Sequence, residues 1–287
     1  MTLFFCAPLI RNSLLLSILL LLLLSSPLHA LIHEKDHHTP TRPVFHTFWC
    51  MGGSNPLNDK IITGFRSVLR TQRRVHFIVW TLPDCFHTTQ IQVRDAGLSS
   101  YCPRSTIEVK STAELGELLK NVPSLEKCLP AFENTNINQW LTAYSDLIRF
   151  IALYFYGGIY IDSDVVCIRS MAPLYSLNFS FRWDSGVNHF NTAIMGFHSP
   201  GNALPAKIVA YYNSCTPQNF HPEDASRAMT RVGSAHKDLI MLPTLFFDPM
   251  QVIYCNKTQV PLFIDSLYWK PLLYLFSSLQ KLFISRH

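Results

Sequence analysis

Residues 146–164, DLIRFIALYFYGGIYIDSD, restrict the fold more than any other stretch, because a helix, a forced stop and a strand follow one another with no room for alternatives. Trp140, Tyr144, Leu147, Ile148, Ile151 and Phe155 recur at intervals of three and four, which makes one apolar stripe on a helix. Asp146 and Arg149 fall off that stripe, where a plain helix-surface ion pair at i,i+3 is the simplest expectation. Gly157 and Gly158 can take the left-handed backbone that ends a helix. Ile159, Tyr160 and Ile161 then read as a short buried strand. Side chains alternate along an extended chain, so Asp162 and Asp164 face one way and Ser163 another. Paired carboxylates suit a hard divalent cation, and Mg²⁺ or Mn²⁺ completes its shell with water and phosphate oxygens. The ligand inferred is a diphosphate, although an acidic pair at a strand end also suits a solvated turn.

Around this segment the chain alternates. Residues 44–49 read as a first strand, 59–71 as a helix, 75–80 as a second strand, 107–110 as a third and 113–120 as a short helix. Pro123, Pro130 and the Asn-rich 134–138 mark a loop. Beyond the aspartates, 165–168 continues extended, 191–197 is a strand, and 203–214 and 223–232 are helical. Alternation of this kind predicts an α/β domain, and open α/β sheets bind ligands at the carboxyl ends of their strands. No internal repeat is present. With 48% hydrophobic residues over 287 positions, the chain can bury a full core without disulfides.

The string SDLIRFIALYFYGGIYIDSDVV, residues 145–166, resembles the DXD-motif glycosyltransferases of the alpha-1,4-galactosyltransferase (globotriaosylceramide synthase) and alpha-1,4-N-acetylglucosaminyltransferase family. Softer matches are VFHTFW (44–49), FNTAIMGF (190–197) and MTRV (229–232). The resemblance implies a GT-A type fold, a Rossmann-like mixed sheet flanked by helices, behind an N-terminal hydrophobic anchor. It also implies retaining transfer of a hexose, galactose or N-acetylglucosamine, from a nucleotide sugar to a glycolipid or glycoprotein glycan in alpha-1,4 linkage. Mn²⁺ or Mg²⁺ and a UDP-linked donor are the implied cofactors. By the same resemblance Asp164 holds the metal, while Asp162 reaches donor hydroxyls and metal-bound water. His46, Thr47, Asp146, Arg149 and Tyr160 join the donor pocket, although a core-filling role competes for His46. Asn191 and Asp184 are counted with the catalytic groups, Glu223 and Asp224 are further acidic candidates, and Trp183 is a candidate for stacking on a sugar.

The ends of the chain carry separate expectations. Residues 13–24 are nearly all leucine, preceded by Arg11, and form a targeting signal. A cleaved signal peptide fits, but Arg11 favours a cytoplasmic N-terminus and a retained anchor. The resemblance implies a type II Golgi membrane protein. The expected layout is tail and anchor over 1–31, stem over 32–43, catalytic domain over 44–262 and a divergent hydrophobic and basic tail over 263–287. His33, His37 and His38 fit a flexible stem better than a metal cluster. Seven cysteines follow the leader without any CxxC spacing, which argues against zinc; their pairing is open, and the odd count leaves a thiol free or paired to another chain. Sequons at Asn178 and Asn256 are expected on the surface in a secretory compartment. The net charge of +5 is modest and scattered, and no nucleic-acid motif accompanies it.

Two departures separate the chain from the family pattern. Ala225–Ser226 stands where Gly-Pro is usual before Thr230–Arg231, and the segment after Pro261 lacks the usual close His and Trp. A catalytically inactive protein that binds sugar or a partner is therefore one alternative. Another is a haloacid-dehalogenase-like phosphatase, since residues 159–166 satisfy hhhDxDxV with Asp162 as nucleophile; it lacks a Gly-Asp motif downstream.

Overall fold

The computed structural model describes residues 42–50, 57–72, 74–128, 141–183, 189–211, 224–243 and 247. These lie within one unit, Arg42–His287. Among them a mixed seven-stranded sheet runs in the order β3-β2-β1-β4-β6-β5-β7. The strands are β1 (Val44–Phe48), β2 (His76–Thr81), β3 (Thr106–Ser111), β4 (Gly158–Ile161), β5 (Asn178–Arg182), β6 (Phe190–Phe197) and β7 (Leu239–Leu242). The helices are α1 (Asp59–Thr71), α2 (Pro83–Asp95), α3 (Leu98–Tyr101), α4 (Thr112–Leu119), α5 (Leu141–Tyr156), α6 (Ala203–Tyr211) and α7 (Asp224–Gly233). β1 pairs parallel with both β2 and β4, and β2 with β3, whereas β6 runs antiparallel to β4 and β5. The carboxyl ends of β1, β4 and β5 thus share one edge with the start of β6.

Apolar side chains fill both faces of the sheet. Phe48, Ile78, Trp80, Leu147, Ile151 and Met195 pack on the α5 side, and Phe45, Phe65, Val68, Phe77, Ile159 and Phe179 pack on the α1 side. α5 ends as its glycines require. Gly157 and Gly158 have φ of 62° and 91°. A Cβ on Gly158 would stand 2.2 Å from the Val44 carbonyl oxygen, so glycine is needed there for close approach of β4 to β1 as well as for conformation.

Several expectations change. Asp146 and Arg149 are buried, because the flank of α5 that carries Arg149 meets β4 and β6, where Arg149 contacts Tyr160, Asp162 and Thr192; the surface ion pair becomes an interior one. Residues 165–168 form no strand pairing, yet Val165 and Cys167 turn inward while Val166 and Ile168 are exposed. The Cys167 N–H finds the Ser67 hydroxyl at 2.8 Å in place of a neighbouring strand. The Asn178 sequon opens β5: Asn178 is half-buried, with Oδ1 accepting from His198 and Asn202, while Phe179 and Ser180 are wholly buried. Cys50 and Cys85 form a disulfide that joins the segment after β1 to the first turn of α2, while Cys102 and Cys167 carry free thiols. Ser226 and Thr230 hold both polar groups of Phe190 at the head of β6: Ser226 Oγ donates to its carbonyl, and Thr230 Oγ1 accepts its N–H at 2.9 Å. Outside the described residues lie the N-terminal apolar stretch, Trp140, Asp184, Glu223, the Asn256 sequon and the tail after Pro261. No helix among the described residues is long and apolar enough to cross a membrane.

Candidate functional site

β4 delivers Asp162 and Asp164 to the shared edge of the sheet and then turns, with the Val165 N–H donating to the Asp162 carbonyl at 3.1 Å. The two carboxylates meet different surroundings. Asp162 is fixed from three directions. Its N–H donates to the Ala193 carbonyl at 2.8 Å, its Oδ1 lies 3.3 Å from Arg149 Nη2, and the Tyr160 hydroxyl approaches its side chain. Asp164 projects from the turn with its side chain 56% exposed, and Lys60 Nζ stands 3.1 Å from its Oδ2.

Arg149 organises the buried part of the site. Its Nη1 donates to the Thr192 carbonyl at 2.8 Å and to Thr192 Oγ1 at 2.9 Å. Nη2 lies 2.6 Å from Asp146 Oδ1, and the guanidinium centre lies 4.9 Å from the Tyr160 ring centroid. Such a planar fork can serve both neighbouring carboxylates and a backbone oxygen at once. It can do so here because β6 breaks register against β5: Ser180 pairs with Met195, but Phe181 already pairs with Asn191. The intervening residues leave the β5 ladder, which turns the carbonyls of Thr192 and Ala193 toward Arg149 and Asp162. Asn191 shapes this bulge by accepting the Ala193 N–H on Oδ1 at 2.7 Å.

Electrostatics follow burial. Burial pushes the Asp146 carboxyl up to about 6, against the pull of Arg149 and with help from the fields of Asp162 and Asp224. Asp162 is raised by burial, with Arg149 opposing and Asp164 adding to the rise. Burial likewise raises Tyr160 well above the usual phenol range.

The structure therefore brings together Asp146, Arg149, Tyr160, Asp162, Asp164 and Asn191, with the first residue of α7, Asp224, close enough to act on Asp146. His46 stands beside Tyr160 across the β1–β4 pair, but its fully buried ring is engaged inside the fold. The Trp80 indole N–H donates to Nδ1 at 3.1 Å, which leaves Nε2–H to donate to the Gly157 carbonyl at 2.8 Å. Thr47 points to the opposite face; it too is fully buried, and its Oγ1 has no hydrogen-bond partner among the described residues. Trp183 closes β5 at the edge that Asp162 shares, half-buried. Lys60, Ser145 and Thr192 were not singled out from sequence. Ser145 and Thr192 are common polar residues whose place emerges only once α5 and β6 meet, and Lys60 lies 104 positions from its partner.

A divalent cation is compatible with these side chains. No three His, Cys, Asp or Glu side chains converge as a metal cluster among the described residues. Mg²⁺ and Mn²⁺ sites of the phosphate-dependent kind need one or two carboxylates from the protein, and Asp164 with the open side of Asp162 supplies them.

Comparison with known proteins finds similarity over part of the chain. Residues 63–180 match the family model described as a glycosyltransferase sugar-binding region containing a DXD motif. An uncharacterized protein of Arabidopsis thaliana is 32% identical over 98 residues, 34% of this chain; the chain spans about 15% of the length of that curated relative. Among solved structures, the PaToxG glycosyltransferase is similar at a TM-score of 0.47 and 16% identity, covering 68% of this chain and 74% of its own. Mouse xyloside xylosyltransferase 1 in its apo form is similar at 0.46 and 14% identity, covering 71% and 85%. Residues 63–180 are thus similar to a glycosyltransferase sugar-binding region, and Asp162–Asp164, inside that match, has the spacing of a DXD motif.

Proposed function

We propose that the protein is a metal-dependent, retaining glycosyltransferase of GT-A type that moves a hexose from a nucleotide sugar to a glycan acceptor. The observation that carries this reading is the unequal pair at the end of β4, one acid clamped by Arg149 and Ala193 and the other open to solvent. Asp162 and Asp164 would hold Mn²⁺ or Mg²⁺, and a bound cation would act as Lewis acid on the leaving diphosphate. Arg149 keeps Asp162 oriented and holds the bulge of β6 beside it through Thr192. Asn191 keeps that bulge in shape through Ala193. Preorganised groups of this kind cost no rearrangement as charge builds on the leaving group. Asp184 is retained as a candidate catalytic carboxylate beyond Trp183.

Galactose or N-acetylglucosamine from a UDP-linked donor, alpha-1,4 linkage, and a glycolipid or glycoprotein acceptor form the finer part of the proposal, supported by the resemblance of residues 145–166. A Golgi lumenal location behind an N-terminal anchor is part of the same reading. The Cys50–Cys85 disulfide supports an oxidising compartment. The phosphatase alternative lacks any comparable support.

The test assays the full-length chain against UDP-galactose, UDP-N-acetylglucosamine and GDP-mannose, with Mn²⁺ or EDTA. The expected result is Mn²⁺-dependent nucleotide release from a UDP-linked donor that EDTA abolishes and Asp164→Asn lowers by at least about 100-fold. Equal release by Asp164→Asn would refute the reading.

A further inference from the structure

One stripe of α1 runs along the acidic loop. Lys60, Gly64, Ser67 and Thr71 recur at i, i+4, i+7 and i+11, so they share a helix face about 100° from the one that buries Ile61, Phe65 and Val68. Each of the first three meets the segment after β4. A Cβ on Gly64 would stand 2.8 Å from the Val165 carbonyl oxygen and 3.0 Å from that of Ser163, so α1 lies directly against the turn that carries the motif. Ser67 Oγ accepts the Cys167 N–H at 2.8 Å and donates to the Gly64 carbonyl at 2.6 Å. Beyond the helix, Gln72 accepts from the Met171 N–H and the Tyr175 hydroxyl and donates to the Arg169 carbonyl. Lys60, one turn before Gly64, is ion-paired to Asp164 at 3.1 Å. The fold therefore registers Lys60 against Asp164, since the helix that bears it is docked on the loop at two further points.

We propose, building on the reading of Asp162 and Asp164 as the metal-binding pair, that Lys60 is a placeholder cation: it neutralises Asp164 in the unloaded protein and passes to the donor diphosphate when the metal arrives. Three features support the exchange. The pair is exposed on both sides, 66% and 56%, and exposed ion pairs hold weakly. An ammonium on a four-carbon stem has the reach and three donors to follow a phosphate oxygen without moving the helix. Arg149, the other cation at the motif, is committed to Thr192, Asp146 and Asp162 behind the surface. A divalent ion at Asp164 repels an ammonium about 3 Å from the same oxygen, and a diphosphate beside that ion attracts it.

The placeholder predicts effects of opposite sign in two equilibria. Full-length wild type, Lys60→Gln, Lys60→Arg and Asp164→Asn would be titrated with Mn²⁺ alone, followed by the spectroscopic signal of free Mn²⁺, and then with UDP at saturating Mn²⁺. Lys60→Gln is expected to bind Mn²⁺ about three- to tenfold more tightly and UDP about tenfold more weakly, and Lys60→Arg to recover UDP binding. A Lys60→Gln protein whose Mn²⁺ affinity is unchanged or weaker, or whose UDP affinity is undiminished, overturns the placeholder and leaves the metal pair standing. Wild type and Asp164→Asn binding Mn²⁺ equally would overturn the metal pair, and the placeholder with it.

Discussion

Arg149 shows how much one side chain can hold. It links α5, β4 and β6 through Asp146, Asp162 and Thr192 while almost wholly buried, 6% exposed. Removing one partner of a buried ion pair leaves the other charge uncompensated, which typically costs about 3–5 kcal/mol. Arg149→Ala is therefore expected to lower the unfolding free energy by about that much, and Arg149→Ala with Asp146→Asn to recover part of it; denaturant melts would check both. A melt of Arg149→Ala within about 0.5 kcal/mol of wild type would show that the pair is not buried as described. His46 supplies a pH signature. Burial lowers its folded pKa to about 4, against 6.5 for the free side chain. Between those values the unfolded chain holds more protons, so this contribution to stability is complete above about 6.5 and is lost as pH falls toward 4. The shift corresponds to about 3 kcal/mol. Asp146 acts with opposite sign, since its raised value near 6 favours the folded state below the free-acid range and the benefit fades as pH rises through 6. Melts from pH 4 to 7 should therefore show His46→Gln losing the upward limb and Asp146→Asn steepening it.

At the scale of elements, the junction between α5 and β4 decides where the acids land. The start of β4 must lie tight against β1, and Gly158 meets that need at φ 91° with the Val44 carbonyl in the space a Cβ would take. Gly158→Ala is expected to destabilise by about 2–4 kcal/mol, from backbone strain and steric clash together. Gly97, at φ 65° with open space around it, is the comparison: Gly97→Ala should cost about 1 kcal/mol. Equal losses at both glycines would mean that β4 is not held so closely. The helix–glycine–strand succession was legible in residues 146–164 because periodicity and glycine act locally. α1 was likewise read at Asp59–Thr71, with Asn58 capping it through the Ile61 N–H at 3.1 Å. β5 was missed, since NFSFR is short and overlaps a sequon, and its strand character comes from lying between β6 and β7. α2 was missed too: PDCFHTTQIQVRD buries only Cys85, Thr89 and Val93 and shows a weak apolar stripe.

Across the whole molecule, the Cys50–Cys85 bond fastens the carboxyl edge of the sheet next to the site. It closes a loop with a sequence separation of 35, for which the chain-entropy account gives about 3–4 kcal/mol of stabilisation. Cys85→Ser should lower the unfolding free energy by that order, and reductant should lower wild type by at least as much, since Cys128 is disulfide-bonded as well; a variant that melts like the oxidised wild type would rule the bond out of the stability of the fold. Length, alternation and the run from Asp146 to Asp164 were enough, from sequence alone, to specify an α/β sheet with a carboxylate pair at a strand end, because those features depend on local backbone preference and on side-chain period. The resemblance of residues 145–166, and not these local features, singled out Asp146 and Arg149 beside that pair. Tertiary structure decided the rest. It buried Asp146 and Arg149, with Arg149 set against β4 and β6, bent β6 so that Thr192 and Ala193 face the acids, withdrew His46 and Thr47 into the core, and laid Lys60 against Asp164. Each depends on which elements meet across long stretches of chain, where packing sets the environment that fixes a side chain's charge, partners and exposure.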